Sequence, residues 1–233
     1  METGHPITSP TEIRDILISD IVLTLAFSLA LVGGVSAFQG NSAKAIAQFE
    51  QLLPIAALAV TVNFVFHELM HKFFAQRYGA IAEFRMFYTG LIITIFTSLF
   101  GFLIGMPGAT MIYTQGFTKK QNGIVSIVGP LTNLAVFGAF LAFALLTHPP
   151  TSSFLSSALS FVIEISVLLA FFNMLPIFPL DGSKVLTWSK PVYAATMGVI
   201  LLLMLKYTGI GIWDILLLIV IALVISLVSR RIF

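Results

Sequence analysis

From residue 21 to residue 228 the chain alternates apolar runs with short polar breaks, and that rhythm limits its folding options more than any other feature. A run of roughly 20 apolar residues crosses the hydrocarbon layer of a bilayer as a helix, with every backbone polar group satisfied inside the segment. The runs predict spans near Ile21–Phe38, Leu52–Gln76, Ile124–Leu146, Phe154–Leu175, Pro191–Leu205 and Ile212–Val228, with a further apolar stretch over Leu91–Met106. Breaks such as QGNSAK, TQGFTKKQNG, THPPTSS, PLDGSK and KYTG separate them. Charged residues make up 9% of the chain, against about 25% in soluble domains, which excludes a soluble globular fold. No basic cluster is dense enough for nucleic acid, so the lipid bilayer is the first partner. The opening METGHPITSPTEIRDILISD lacks a basic n-region and a cleavage signal, and reads as a short cytosolic lead-in.

Charge sets the direction of the spans, because cytoplasmic loops carry excess Lys and Arg. Suppose the N-terminus is inside and Leu91–Met106 turns back without crossing. Arg14, Lys72, Arg77, Arg85, Lys119, Lys120, Lys184, Lys190, Arg230 and Arg231 then face the cytoplasm, and only Lys44 and Lys206 face out, ten against two. A full crossing by Leu91–Met106 turns this into five inside and seven outside. The expected fold is therefore an all-α polytopic membrane protein of about six transmembrane helices with one re-entrant element. FGFLIGMPGATMIYTQG suits that element: its glycines and Pro107 break a helix, and TMIY favours a strand.

Two histidines and a glutamate sit inside one of these spans, in VTVNFVFHELMHKFFAQRYG. His67 and His71 are four residues apart, so both imidazoles leave the same face of a helix. Glu68 follows the first of them, the HExxH pattern in which the carboxylate handles protons beside a metal ion. The bland alternative places the motif at the cytosolic end, with Lys72 snorkelling to water and the histidines merely interfacial. It explains neither the glutamate nor the spacing. The chain has no cysteine, so a metal here takes histidine and carboxylate ligands only, and a catalytic zinc takes three protein ligands. Candidates for the third are Asp20, Glu164, Asp181 and Asp214. Asp181 stands out because Pro176 and Pro179 interrupt its helix and Gly182 is expected to free the backbone behind it. The competing reading of Asp181 is a helix cap. In the six-span topology it lies on the same side as the histidines, and in the seven-crossing one it does not.

HELMH followed by NMLPIFPLDG resembles the paired signature of the site-2 protease family of intramembrane zinc metalloproteases, and GPLTN at Gly129–Asn133 resembles a third element of that family. The ordered match runs over roughly Asn63–Gly182. The resemblance implies that His67, His71 and Asp181 hold one Zn²⁺ and that Glu68 is the catalytic glutamate. It also implies a single membrane-embedded metalloprotease domain over 1–233. Its catalytic core lies at about 52–182, with peripheral helices at 21–38 and 191–228 and a β-like re-entrant segment after the HExxH helix. The implied activity is hydrolysis of peptide bonds in or near transmembrane segments of membrane-protein substrates, as in regulated intramembrane proteolysis. The implied location is a prokaryotic cell membrane, the active site toward the cytoplasm.

Asn173 and Asn133 lie on separate apolar helices, where the resemblance implies that they hold substrate or stabilise the active site. An amide near the metal can donate to an oxyanion; hydrogen bonding between helices is the competing role. Pro107 and Gly108 join them as candidate substrate-binding positions, since MPGATMIY offers an edge on which an unwound substrate can lie as an added strand. Glu164 lines a water path or makes a structural hydrogen bond. The functional alternative is a zinc-binding transporter or channel, although the inverted repeats usual in transporters are absent from the sequence.

Overall fold

The computed structural model describes residues 8–114, 116–214 and 216–220. The chain divides into two compact units, Met1–Tyr113 and Thr114–Phe233, and each is built around its own apolar cluster.

In the first unit, helix α1 covers Pro10–Val32, beginning eleven residues ahead of the apolar run that predicted it. The start is encoded by SPTE: the Ser9 hydroxyl accepts the Glu12 amide at 3.2 Å, and Pro10 fits the first helical position. The expected lead-in is thus helix from Pro10 onward, and Glu12 and Asp15 on it are buried. After the short α2 (Ser36–Gly40), helix α3 (Ser42–Val60) continues through a π-helical turn, Thr61–Val65, into α4 (Phe66–Arg77). Together these three segments form one helical rod of 36 residues, Ser42–Arg77.

A two-stranded antiparallel sheet follows, β1 (Ile81–Met86) with β2 (Gly108–Tyr113), in the register Phe84 opposite Thr110. Strand β2 falls where a β-like segment was expected. Strand β1 was not expected, although AEFRM alternates apolar and polar residues and buries Ala82 and Phe84. Between the strands lies α5 (Tyr88–Ser98), whose 11 residues rise about 16 Å, half of what a crossing needs. The irregular chain from Leu99 to Pro107 then runs back along α5. Side chains of α5 satisfy its backbone: Thr94 Oγ1 accepts the Met106 amide at 3.1 Å and shares its proton between the Ile104 and Gly90 carbonyls, each at 2.9 Å, and Thr97 Oγ1 accepts the Ile104 amide at 3.1 Å. Irregular backbone is tolerable in an apolar setting only when it is satisfied in this way. Leu23, Val60, Phe64 and Phe84 form the buried cluster joining α1, the rod and the sheet.

The second unit starts with α6 (Lys119–Thr147), capped by a reciprocal pair of bonds between Thr118 and Gln121. It continues with α7 (Phe154–Asn173), α8 (Asp181–Trp188) and α9 (Lys190–Tyr207). Val167, Ala170, Phe171, Met174, Val185, Ile200 and Met204 make its core. Among the described residues five helices are long and apolar enough to cross a membrane: α1, the rod, α6, α7 and α9. The protein is an all-α membrane protein with one small sheet. The remaining expected span, Ile212–Val228, lies for its greater part outside the described residues.

Candidate metal centre

The π-helical turn ends at Val65, two residues before His67, and α4 carries the two histidines one turn apart. Both are buried, and their Nε2 atoms face each other at 3.0 Å. Two imidazole nitrogens on one tetrahedral zinc, each ~2.0–2.1 Å from it, lie about 3.3 Å apart, so this pair is already spaced for a shared ion.

Asp181 is the first residue of α8, with Leu180 at its N-cap. The link from α7 is unwound over 174–180, contains Pro176 and Pro179, and places a carboxylate where a helix N-terminus favours negative charge. Lys184 Nζ stands 3.6 Å from Asp181 Oδ1. Gly182 plays a different part from the expected one. Its φ is not positive, so it does not free the backbone. A Cβ there would run into the carbonyls of Met174 and Leu175, so glycine is what lets α8 start against the end of α7.

His67 and His71 in the first unit and Asp181 in the second are all buried. With no cysteine in the chain, the donor set is two imidazoles and one carboxylate, which is a catalytic zinc set that leaves the fourth position open. The three residues fit zinc on chemistry, and the imidazole pair fits it on spacing. Of the other carboxylates considered, Asp20 and Glu164 are half-buried and Asp214 is exposed. Asp20 accepts the Thr61 hydroxyl at 3.0 Å, and Asp214 caps the Gly211 amide at 3.0 Å.

Glu68 is half-buried and is held from β2. Its Oε2 accepts the Thr110 amide at 2.8 Å and the Thr110 hydroxyl at 2.8 Å. Thr110 was not singled out from the sequence. Its partner lies 42 residues earlier, and only the strand register brings the two together.

Pro107 and Gly108 sit at the start of β2. The Pro107 carbonyl accepts the Ser19 hydroxyl at 3.2 Å and the Phe87 amide at 3.0 Å. Gly108 has φ +144°, and a Cβ there would collide with the Arg85 carbonyl and the Phe84 ring. Asn173 donates from Nδ2 to the Leu169 carbonyl of its own helix at 3.0 Å, and Asn133 is fully buried on α6.

Lys72 does not snorkel. It is 4% exposed and paired with Glu12, itself 0% exposed, and it also donates to the Thr8 hydroxyl at 2.9 Å. Glu12 Oε1 accepts the Phe84 amide at 3.0 Å, and Asp15 Oδ2 accepts the Met86 amide at 3.4 Å. The two carboxylates of α1 thereby occupy the edge of β1 that faces away from β2. Glu12 was also missed from the sequence, where the helix-start signature SPTE could have revealed it.

Comparison with known proteins places zinc metalloproteases beside this chain. It is 43% identical over 141 residues to "Putative zinc metalloprotease MJ0611" of Methanocaldococcus jannaschii, covering 60% of this chain and 73% of that one. It is 28% identical over 187 residues to "Putative zinc metalloprotease YwhC" of Bacillus subtilis, covering 69% and 83%. With "Putative zinc metalloprotease Rip2" of Mycobacterium tuberculosis it shares 28% over 179 residues, covering 70% and 68%. No protein-family model and no solved structure matches the chain.

Proposed function

This chain belongs to the site-2 protease family of intramembrane zinc metalloproteases, and on that footing we propose that it hydrolyses peptide bonds in or near the transmembrane segments of other membrane proteins. The observation that carries the reading is the buried pair of imidazoles whose Nε2 atoms face each other at 3.0 Å, with a carboxylate on the residue after the first of them.

His67, His71 and Asp181 hold the zinc. When bound, the ion supplies Lewis acidity, bringing the pKa of water down to about 7 and polarising the scissile carbonyl. Glu68 takes the proton from the attacking water and later delivers it to the departing amine, a transfer that leaves the carboxylate as it began. Asn173, and with it Asn133, steadies the substrate or the developing oxyanion.

The substrate must first lose its helix, because a helical peptide bond has its N–H and C=O tied to neighbouring turns. The unwound stretch then lies along β2 near Pro107 and Gly108. The sheet has two strands, so the edge of β2 away from β1 pairs with no third strand among the described residues. Apart from Thr110, whose amide is taken by Glu68, such an edge binds extended substrate through backbone hydrogen bonds. Segments with helix-breaking residues near the cut are the preferred substrates. The whole chain serves as a membrane-embedded metalloprotease domain with its catalytic core over about 52–182, set in a prokaryotic cell membrane with the active site toward the cytoplasm.

The test is Glu68→Gln beside Asp181→Asn, each reconstituted with a single-span model substrate. Glu68→Gln is expected to keep one zinc per chain by elemental analysis and to lose cleavage. Asp181→Asn is expected to lose metal. Full cleavage by Glu68→Gln, or wild-type protein purified without chelators and lacking stoichiometric zinc, overturns the assignment.

A further inference from the structure

We propose that Thr110 is the positioning residue for the Glu68 carboxylate, a role that rests on the function of Glu68 given above. Thr110 and Phe84 form one rung of the β1–β2 ladder. It is a non-hydrogen-bonded rung, at which both amides point outward rather than across the pair. Each outward amide meets a glutamate. Phe84 N–H donates to Glu12 on one side of the sheet, and Thr110 N–H donates to Glu68 on the other. The Glu12 side is closed by the buried Lys72 pair, which makes it structural. The Glu68 side borders the histidine pair.

The two carboxylate oxygens of Glu68 are not equivalent. Oε2 takes two donors from Thr110, the amide and the hydroxyl, both at 2.8 Å. The hydroxyl also lies 3.0 Å from the Glu68 carbonyl, so its single proton is shared within the same residue pair. Among the described residues Oε1 has no hydrogen-bond partner. One oxygen is therefore fixed to the sheet while the other is left to receive and return a proton. Glu68 has three side-chain torsions, and among the described residues Thr110 is the one that hydrogen-bonds its carboxylate. Because the anchor is a strand rather than a loop, it fixes the base against the same element on which substrate is laid down.

Three variants test this. Thr110→Val keeps the branched shape and the backbone amide but removes the hydroxyl, Thr110→Ala removes the hydroxyl without branching, and Thr110→Ser keeps it. Misplacement of a reacting group by about 1 Å costs on the order of 100-fold in rate. Thr110→Val and Thr110→Ala are therefore expected to lower kcat roughly 10- to 100-fold with KM and zinc content unchanged, and Thr110→Ser to recover most of it. A second readout needs no turnover. In metal-free protein, the infrared difference between wild type and Glu68→Gln isolates the Glu68 carboxylate band, which should shift in Thr110→Val and return in Thr110→Ser. Wild-type kcat in both hydroxyl-free variants overturns the proposal. So does a joint loss of kcat, zinc and thermal stability that Thr110→Ser does not restore. An active Glu68→Gln instead removes the role of Glu68 itself, and the two failures are told apart.

Discussion

Glu12 and Lys72 form a pair with almost no access to solvent, and such pairs weigh on stability asymmetrically. Removing one partner leaves an uncompensated buried charge, which costs about 3–5 kcal/mol, whereas replacing both with apolar residues of similar volume is often neutral. Glu12→Ala is accordingly expected to lower the unfolding midpoint in detergent far more than the double variant Glu12→Leu with Lys72→Met. Equal losses in the two would mean that lost packing, not charge, sets the cost. This pair was illegible in the sequence because its members are 60 residues apart and each had a plausible solitary role, one in a polar lead-in and one snorkelling. The histidines were legible because a spacing of four on a helix is a local property. Thr110 was not, because nothing near it in the chain indicates that a strand amide and hydroxyl will both turn to the same carboxylate.

The helices were readable from their apolar runs, since a segment in lipid must bury nearly every side chain in hydrocarbon and close its own hydrogen bonds. What failed at this level were boundaries set by polar chemistry. Helix α1 begins at a serine cap ahead of its apolar run, and β1 alternates over only six residues in the shadow of a much stronger helical signal. The return segment between α5 and β2 was rightly marked as irregular, but its supports, Thr94 and Thr97, read as ordinary members of an apolar stretch. Thr94→Val is expected to strand the Met106 amide and the Ile104 carbonyl without partners, at about 1–3 kcal/mol for each group left unsatisfied. Limited proteolysis over residues 99–107 should accelerate in that variant. Unchanged cleavage there would mean that the hydroxyl does not hold the segment.

For the chain as a whole, the absence of cysteine makes the membrane orientation directly testable. Lys44 and Lys119 are exposed at the starts of α3 and α6, and the distribution of Lys and Arg in the sequence predicts opposite sides of the membrane for them. In intact cells a membrane-impermeant maleimide should label Lys44→Cys at once and Lys119→Cys only after permeabilisation. The reverse pattern would place the proposed chemistry on the outer side and require another source for its water.

The π-helical turn at Thr61–Val65 has an evolutionary corollary. Such a turn holds one more residue than an α-helix needs, and a single residue corresponds to about 100° of rotation around the axis. Everything downstream in the rod, HELMH included, is therefore swung to a new azimuth relative to α3. Loss of one codon from this turn would restore an uninterrupted helix and aim the imidazoles at a different wall. The bearing of the two imidazoles within the rod is thus set by the smallest insertion a gene can make in frame.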